Sequence, residues 1–325
     1  MKINLPYKPL VTVIVSCYNH GKYVGESIRS VLAQTYKNIE LIVVDNGSTD
    51  DSLQKILELK DISNFKLIQL KENVRPGEVD GAFSLALKQS TGEFVSILYS
   101  DDWYMPDKLE KQVKCFEVAG SSIGVVYCHG YKFDQATGVL TKWKTRNRFG
   151  YVFKDCLLNG SLVIPISPLV KRFCYEIIGS NNPWTGSEYD FFAMSQYVDF
   201  EIVDEHLVVM RSHDFNDAKN ILDVYSRVCL FDKLFFSNVG TAQRAGRYAD
   251  NWLARNQLMF ARDFAEIGAR GHSMSAFRKA FVTNPSFTIG FRGLIMVLYF
   301  ILPFRVFSLA MNFMRKVRQV FQSVI

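Results

Sequence analysis

Asp101 and Asp102 stand side by side after the apolar run 94–99 and before Pro106. Two adjacent carboxylates at the end of a buried strand are costly unless a positive group meets them. A divalent cation would do so, because hard cations take carboxylate oxygens. The plainer alternative is that one Asp caps the following helix. Further acids close other apolar runs: Asp45 follows Ile-Val-Val and opens the turn cluster Asn-Gly-Ser-Thr-Asp. Glu188 and Asp190 stand in Gly-Ser-Glu-Tyr-Asp-Phe at the start of a helical pattern. The helix dipole favours acids in a first turn whether or not they do chemistry.

The elements that must position these residues follow from periodicity. Residues 10–16 form a continuous β-branched run, as expected for a parallel strand covered on both faces. After a turn-rich stretch ending at Gly21, Tyr23, Ser27, Ile28, Val31 and Leu32 recur at helical spacing. Strands are expected at 40–44, 65–70 and 94–99, with helices after 52 and over 79–89, so four β-α repeats imply an open doubly wound sheet. A helix over 106–119 is announced by Pro106 and ended by Gly120. Strands are expected at 123–128, 201–203 and 206–210, with a hairpin turning at 136–138. Between 144 and 185 the pattern weakens, and 161–164 reads as a strand and 169–178 as a short helix.

In such sheets ligands bind beyond the carboxyl ends of the strands. Those ends carry Ser16, Tyr18, Asp45, Asp101 and Asp102. No G-x-G-x-x-G follows the first strand and no G-x-x-x-x-G-K-[ST] occurs anywhere, so glycine loops do not supply phosphate binding. A cation held by carboxylates would have to.

The chain is long enough for one large α/β domain and an appendage, and 48% hydrophobic residues provide ample core. Six scattered cysteines without a C-x-x-C pair argue against zinc or a disulfide framework. The N-terminus lacks a signal-peptide core, so a cytoplasmic setting is expected. The net charge of +6 is uneven: eight Lys and Arg and no acid follow Glu266, leaving −2 over residues 1–266. The main domain is therefore not a nucleic-acid binder.

Together, Val-Ser-Cys-Tyr-Asn (15–19), Val-Val-Asp-Asn-Gly-Ser-Thr-Asp (43–50), Thr-Gly-Glu-Phe-Val (91–95) and Ser-Asp-Asp-Trp-Tyr-Met-Pro-Asp-Lys-Leu (100–109) resemble the inverting family 2 glycosyltransferases of the GT-A fold. The resemblance runs from about residue 10 to 215. It implies a nucleotide-sugar domain over 1–215, with an open, twisted, mostly parallel sheet flanked by helices. A helical C-terminal region would occupy 216–325. It also implies nucleotide contacts for Ser16, Tyr18, Asn19 and Asp45, with Asp101 on the ribose. Asp102 would ligate Mn2+ or Mg2+ on the diphosphate of a donor, with a UDP-sugar favoured. Ser187-Glu188-Tyr189-Asp190 resembles the family's Glu-Asp-x-Asp segment, which makes Glu188 the candidate base and Asp190 its competitor. Arg211 and His213 match an Arg-x-His segment that approaches the diphosphate, with His213 as a candidate metal ligand.

Two positions depart from the family pattern. Ser187 replaces the first acid, and Phe83-Ser84 replace a usual Arg-Asn, which leaves Arg75 as the nearest candidate cation for the nucleotide. His20, His129, His206 and His272 read as structural.

After Arg292 an uncharged run, 294–304, is too short to span a bilayer, which takes about 20 apolar residues. Flanked by Arg292, Arg305, Arg315, Lys316 and Arg318, it reads as an interfacial element on anionic lipid. The alternative is packing on the catalytic domain or across a homodimer. The expected function is transfer of a sugar to a saccharide or polyprenyl-linked acceptor in cell-surface polysaccharide synthesis, at the inner face of the cell membrane. The competing readings are a sugar-nucleotide pyrophosphorylase and a membrane-associated scaffold that keeps the fold without turnover.

Overall fold

A computed structural model describes residues 8–74, 81–179, 185–214, 216 and 219–288. It divides into two compact units, 1–216 and 217–325.

The first unit opens with three right-handed repeats. In order they are β1 (Val11–Cys17), α1 (Val24–Leu32), β2 (Ile39–Asp45), α2 (Ser52–Lys60), β3 (Lys66–Gln69), α3 (Ala82–Lys88) and β4 (Phe94–Tyr99). Next come β5 (Trp103–Tyr104), α4 (Lys108–Val118), β6 (Ile123–Asp134), β7 (Leu140–Trp143), α5 (Phe153–Asn159), β8 (Leu169–Lys171), α6 (Phe173–Ile178), α7 (Glu188–Met194) and β9 (Asp199–Ser212).

The strands form one sheet in the order β3-β2-β1-β4-β8-β6-β9-β5, with β7 paired to β6. From β3 to β4 every pairing is parallel. The short β8 then enters antiparallel between β4 and β6, while β6 and β9 run parallel. Because β2 lies on one side of β1 and β4 on the other, strand order reverses at β1/β4. Such a switch point splays the loops apart and opens a crevice.

Residues 11–15 are buried throughout, which is why they show no alternation. One face packs on Val24, Ile28 and Val31 of α1, and this core continues through Val43, Leu98, Leu109 and Val113. At about 25 cal/mol per Å² of apolar surface, this burial is the main stabilising term of the unit.

The mixed part of the sheet differs from the expected elements. Residues 161–164 form no strand; the strand is β8, only three residues long, and it precedes α6 within the segment expected to be helical. The two strands expected at 201–203 and 206–210 are a single 14-residue β9, whose register against β6 shifts at Cys128–Gly130.

The second unit is helical: α8 (Ile221–Ser237), α9 (Val239–Ala245), α10 (Tyr248–Glu266), α11 (Arg270–Thr283) and α12 (Pro285–Thr288). Its core contains Phe231, Trp252, Phe260 and Phe264. Within it, the buried Asp232 accepts hydrogen bonds from Trp252 Nε1 at 2.7 Å and from Asn256. No helix among the described residues is long and apolar enough to cross a membrane. The basic apolar tail, with its expected lipid or dimer contacts, lies outside the described residues, as does Arg75.

Candidate active site

The loop after β1 is stitched to the loop after β2. Asn19 adopts φ 53°, a left-handed conformation that Asn tolerates better than most residues. Its Oδ1 accepts the Thr49 N–H at 2.8 Å, and its own N–H donates to Ser48 Oγ at 3.1 Å. The His20 N–H donates to Ser52 Oγ at 2.9 Å, and the Gly21 N–H to Asp50 at 3.1 Å. Asp45 is buried and accepts the Ser48 N–H at 3.3 Å, while Tyr18 is 40% exposed and Ser16 half-buried. This side of the switch point therefore offers an open aromatic face beside a fixed carboxylate. Asn19 itself serves as a tie between the two loops.

Across the switch point, β4 delivers Ser100, Asp101 and Asp102. Asp101, 8% exposed, accepts from Asn216 Nδ2 at 3.0 Å, and its Oδ2 lies 3.1 Å from His213 Nε2. Its Oδ1 lies 3.9 Å from His20 Nδ1, which also meets Ser100 Oγ at 2.9 Å. The His20 and His213 rings meet edge to face, with centroids 5.4 Å apart. Burial holds the His20 imidazole below its usual range, which favours the neutral ring.

His20, Asp101 and His213 place one ligand atom each within 4.8 Å of one another. Among the described residues, no Lys or Arg side chain forms an ion pair with Asp101 or Asp102. Asp102 is 1% exposed; its Oδ1 accepts the Arg211 N–H at 2.8 Å, and its Oδ2 is buried with no hydrogen-bond partner among the described residues. Burial pushes the Asp102 carboxyl well above the carboxylate range, and the neighbouring Asp101 charge adds to the effect. One carboxylate and two imidazoles with ligand atoms this close are a donor set that fits a divalent cation.

The geometry bears on three of the expected roles. Asp101 shares a cluster with His20 and His213, while Asp102 Oδ1 holds the β9 backbone and its Oδ2 has no hydrogen-bond partner among the described residues.

Arg211 is held by protein groups on every side of its guanidinium. Its Nε donates to the Asp101 carbonyl at 2.9 Å, and its terminal nitrogens bond Gln135 and Glu26. Tyr23, Trp103 and Phe133 cage the guanidinium at 4.7–5.3 Å. It is a strut beneath the Asp101–Asp102 turn.

Asp190 is turned inward. It is 0% exposed, and its Oδ2 accepts the Gly186 N–H at 2.6 Å. Burial again drives its carboxyl up.

Glu188, by contrast, is half-buried at the first position of α7, behind the N-cap Ser187, whose Oγ accepts the Tyr189 N–H at 3.3 Å. Gly186 takes φ 95°, and a Cβ there would stand 2.8 Å from Phe83 Cβ, so only glycine fits. Phe83 and Ser187, the two departures from the expected pattern, thus have packing and capping roles. Tyr99 joins the parts: its hydroxyl donates to the Gly186 carbonyl at 3.4 Å. Burial raises its phenol, and the charges of Glu188, Asp102, Asp190 and Asp101 raise it further.

Tyr99, Glu26 and Asn216 were not singled out from sequence, and His20 was read as structural. For His20, the available signal was its place just past β1 at the switch point.

The model of glycosyl transferase family 2 matches residues 12–170. An uncharacterised glycosyltransferase of Rickettsia prowazekii is 34% identical over 240 residues, covering 69% of this chain and 71% of that protein. The Escherichia coli enzyme named UDP-Glc:alpha-D-GlcNAc-diphosphoundecaprenol beta-1,3-glucosyltransferase WfaP is 33% identical over 171 residues, 52% of this chain and 65% of its own length. Among solved structures, S. aureus TarS in complex with UDP-GlcNAc matches with a TM-score of 0.64 at 17% identity, covering 92% of this chain and 88% of that one. The mannosyltransferase PcManGT from Pyrobaculum calidifontis, in complex with GDP-Man and Mn2+, matches at 0.59 and 19% identity, covering 93% and 84%. The TarS and PcManGT likenesses show the GT-A fold, and with the family model and the Rickettsia relative the conclusion is that this chain belongs to glycosyl transferase family 2.

Proposed function

We propose that this glycosyltransferase moves a sugar from a UDP-sugar onto a saccharide carried by a polyprenyl diphosphate, with inversion and with a divalent cation, Mn2+ or Mg2+, at Asp101 and His213. The observation that carries this reading is the Tyr99 neighbourhood. Glu188, Asp101 and Asp102 all act on the Tyr99 phenol, so the candidate base and the acidic turn share one neighbourhood.

Tyr18 and Asp45 hold the base, Tyr18 by its exposed ring and Asp45 by its fixed carboxylate. Asp101 and His213 would hold the cation, which when bound would neutralise charge on the departing nucleotide diphosphate. Glu188 takes the proton of the acceptor hydroxyl as that oxygen bonds the anomeric carbon and the bond to the diphosphate oxygen breaks. A positioned base of this kind contributes about 10²- to 10⁴-fold.

The names of WfaP and WfgD, with UDP-Glc as donor and a diphosphoundecaprenol-linked acceptor, support the substrate class. The Mn2+ that accompanies GDP-Man in the PcManGT complex supports the cation. The acid-free stretch after Glu266 suits an anionic membrane surface, where such an acceptor resides. Because Ser187 and Phe83 have structural roles, neither argues for a scaffold without turnover.

The test is a thermal-shift screen of UDP, GDP, TDP and CMP with and without Mn2+, followed by turnover of the matching sugar nucleotides. Ligand at a hundredfold excess over Kd stabilises the folded state by about 2.7 kcal/mol. UDP with Mn2+ should give the largest shift, and chelation should abolish turnover. Absence of turnover with every sugar nucleotide would refute the reading.

A further inference from the structure

Of the groups around the acidic turn, His20 is the one that the proposed chemistry leaves without a task. It sits in neither of the acidic motifs, and it reaches the cluster only because β1 and β4 are neighbours at the switch point. Its backbone is fixed on both sides: its N–H goes to Ser52, and its carbonyl accepts the Tyr23 and Val24 N–H groups at 2.9 Å each. Its side chain is held by Ser100 Oγ at 2.9 Å, with Nδ1 facing Asp101 Oδ1 at 3.9 Å.

That separation is too long for a direct hydrogen bond, and the two atoms can close on one ion once Nδ1 exchanges its contact with Ser100 Oγ for the ion. His213 Nε2 faces the other oxygen of the same carboxylate at 3.1 Å. The two rings stand at 84° to each other, so that two imidazoles flank one carboxylate.

Building on the cation-dependent reading above, we infer that His20 is a direct ligand of the cation, making the site a two-imidazole, one-carboxylate set drawn from the ends of β1, β4 and β9. The consequence is selectivity. Carboxylate and water suit Mg2+, whereas imidazole nitrogen suits transition metals. A site with two imidazoles therefore prefers Mn2+ or Co2+ to Mg2+, and removing one shifts the balance toward Mg2+. Because the β1 loop is already tied to the β2 loop through Asn19 and Gly21, the ligand is in place before the ion arrives. The cation also fastens the nucleotide-binding loop to the acidic turn.

The test uses the full chain with Mn2+ alone. Free Mn2+ is followed by its EPR signal, and bound Mn2+ by pulsed EPR, which registers directly coordinated ¹⁴N. The unaltered protein should show two imidazole nitrogens. His20→Asn places an amide near the Nδ1 position to keep the Ser100 contact; it should show one nitrogen, bind Mn2+ about tenfold more weakly, and lose its preference over Mg2+ in competition.

One nitrogen in the unaltered protein, removed by His213→Ala and retained in His20→Asn, would overturn the inference while leaving the cation reading intact. Mn2+ affinity unchanged in Asp101→Asn would overturn the cation reading and this inference with it. The nitrogen count in the unaltered protein decides the matter even where a variant folds poorly.

Discussion

The parallel half of the sheet, β3-β2-β1-β4, and the mixed half, β8-β6-β9-β5, contribute to the site in different ways. In the parallel half, position follows from topology. Every strand ends at the same edge, so Ser16, Asp45 and Asp101 converge without any long-range contact being specified for each of them. In the mixed half β6 and β9 point to that edge while β8 and β5 run against them. A 14-residue strand with register shifts must carry Arg211 and His213 back to that edge, and side-chain contacts must hold it there. The parallel half thus builds a generic crevice, and the mixed half makes it specific through two devices: the α7 cap that presents Glu188 and the Arg211 strut.

The largest effect should come from separating the two acids of α7. Glu188→Gln keeps size and removes the base, so turnover should fall about 10³-fold with nucleotide affinity unchanged, within the range known for general bases. Asp190→Asn can still accept the Gly186 N–H through its amide oxygen, and turnover should stay within about tenfold of the unaltered enzyme, because no proton transfer is removed. Single-turnover rates with saturating donor distinguish the two. The reverse ranking would mean that α7 presents its buried acid during catalysis, and the division between cap and base would fail.

Next in size is the strut. Arg211→Lys retains a charge but cannot reach the Asp101 carbonyl, Gln135 and Glu26 at once or fill the Tyr23-Trp103-Phe133 cage. Leaving partners of a buried charged network unsatisfied costs about 3 kcal/mol. The urea midpoint should drop accordingly with an unchanged slope. An unaltered midpoint would show that the mixed half is held by its strand pairing alone.

How much of this was legible from the sequence also divides along the two halves. Strands β1, β2 and β4 are uninterrupted runs of buried β-branched and aliphatic residues, so each marks itself, and the polar ends mark the site edge. The three residues of β8 are too few for any period to show, and β9 reads as two strands because half-exposed and exposed residues interrupt it around Asp204 and Glu205. The spacing of Glu188 and Asp190 could not tell base from cap, since that depends on which carboxylate folds back to Gly186. The same holds for Arg211, whose direction is set by rings from three separate elements. Nor could the sequence show that Asp102 Oδ1 would bind the β9 backbone while Asp101 faced His213.

The smallest effect lies under the parallel half and sharpens its description as a generic crevice. Lys108 of α4 is fully buried, donates to Ser96 Oγ of β4 at 3.0 Å, and stands 4.1 Å from the Tyr104 ring centroid. Burial lowers its ammonium from the usual 10.5 to about 7. Below pH 7 both folded and unfolded chains carry this proton, and the folded state bears the whole desolvation cost. Between pH 7 and 10.5 the unfolded chain binds more protons, so the stability contributed by this group rises with pH. Lys108→Met removes the buried charge and leaves Ser96 Oγ bonded to the Tyr104 hydroxyl and the Pro168 carbonyl. Stability at pH 6 should therefore rise by about 1–2 kcal/mol, well below the ceiling set by about 1.4 kcal/mol per pKa unit, because the ring contact is lost as well. The gain should shrink toward pH 9, as read from urea midpoints at the two values. A variant less stable than the unaltered chain at both would mean that the buried ammonium is part of what holds β4 beneath Asp101 and Asp102, and that the parallel half owes its geometry to more than apolar burial.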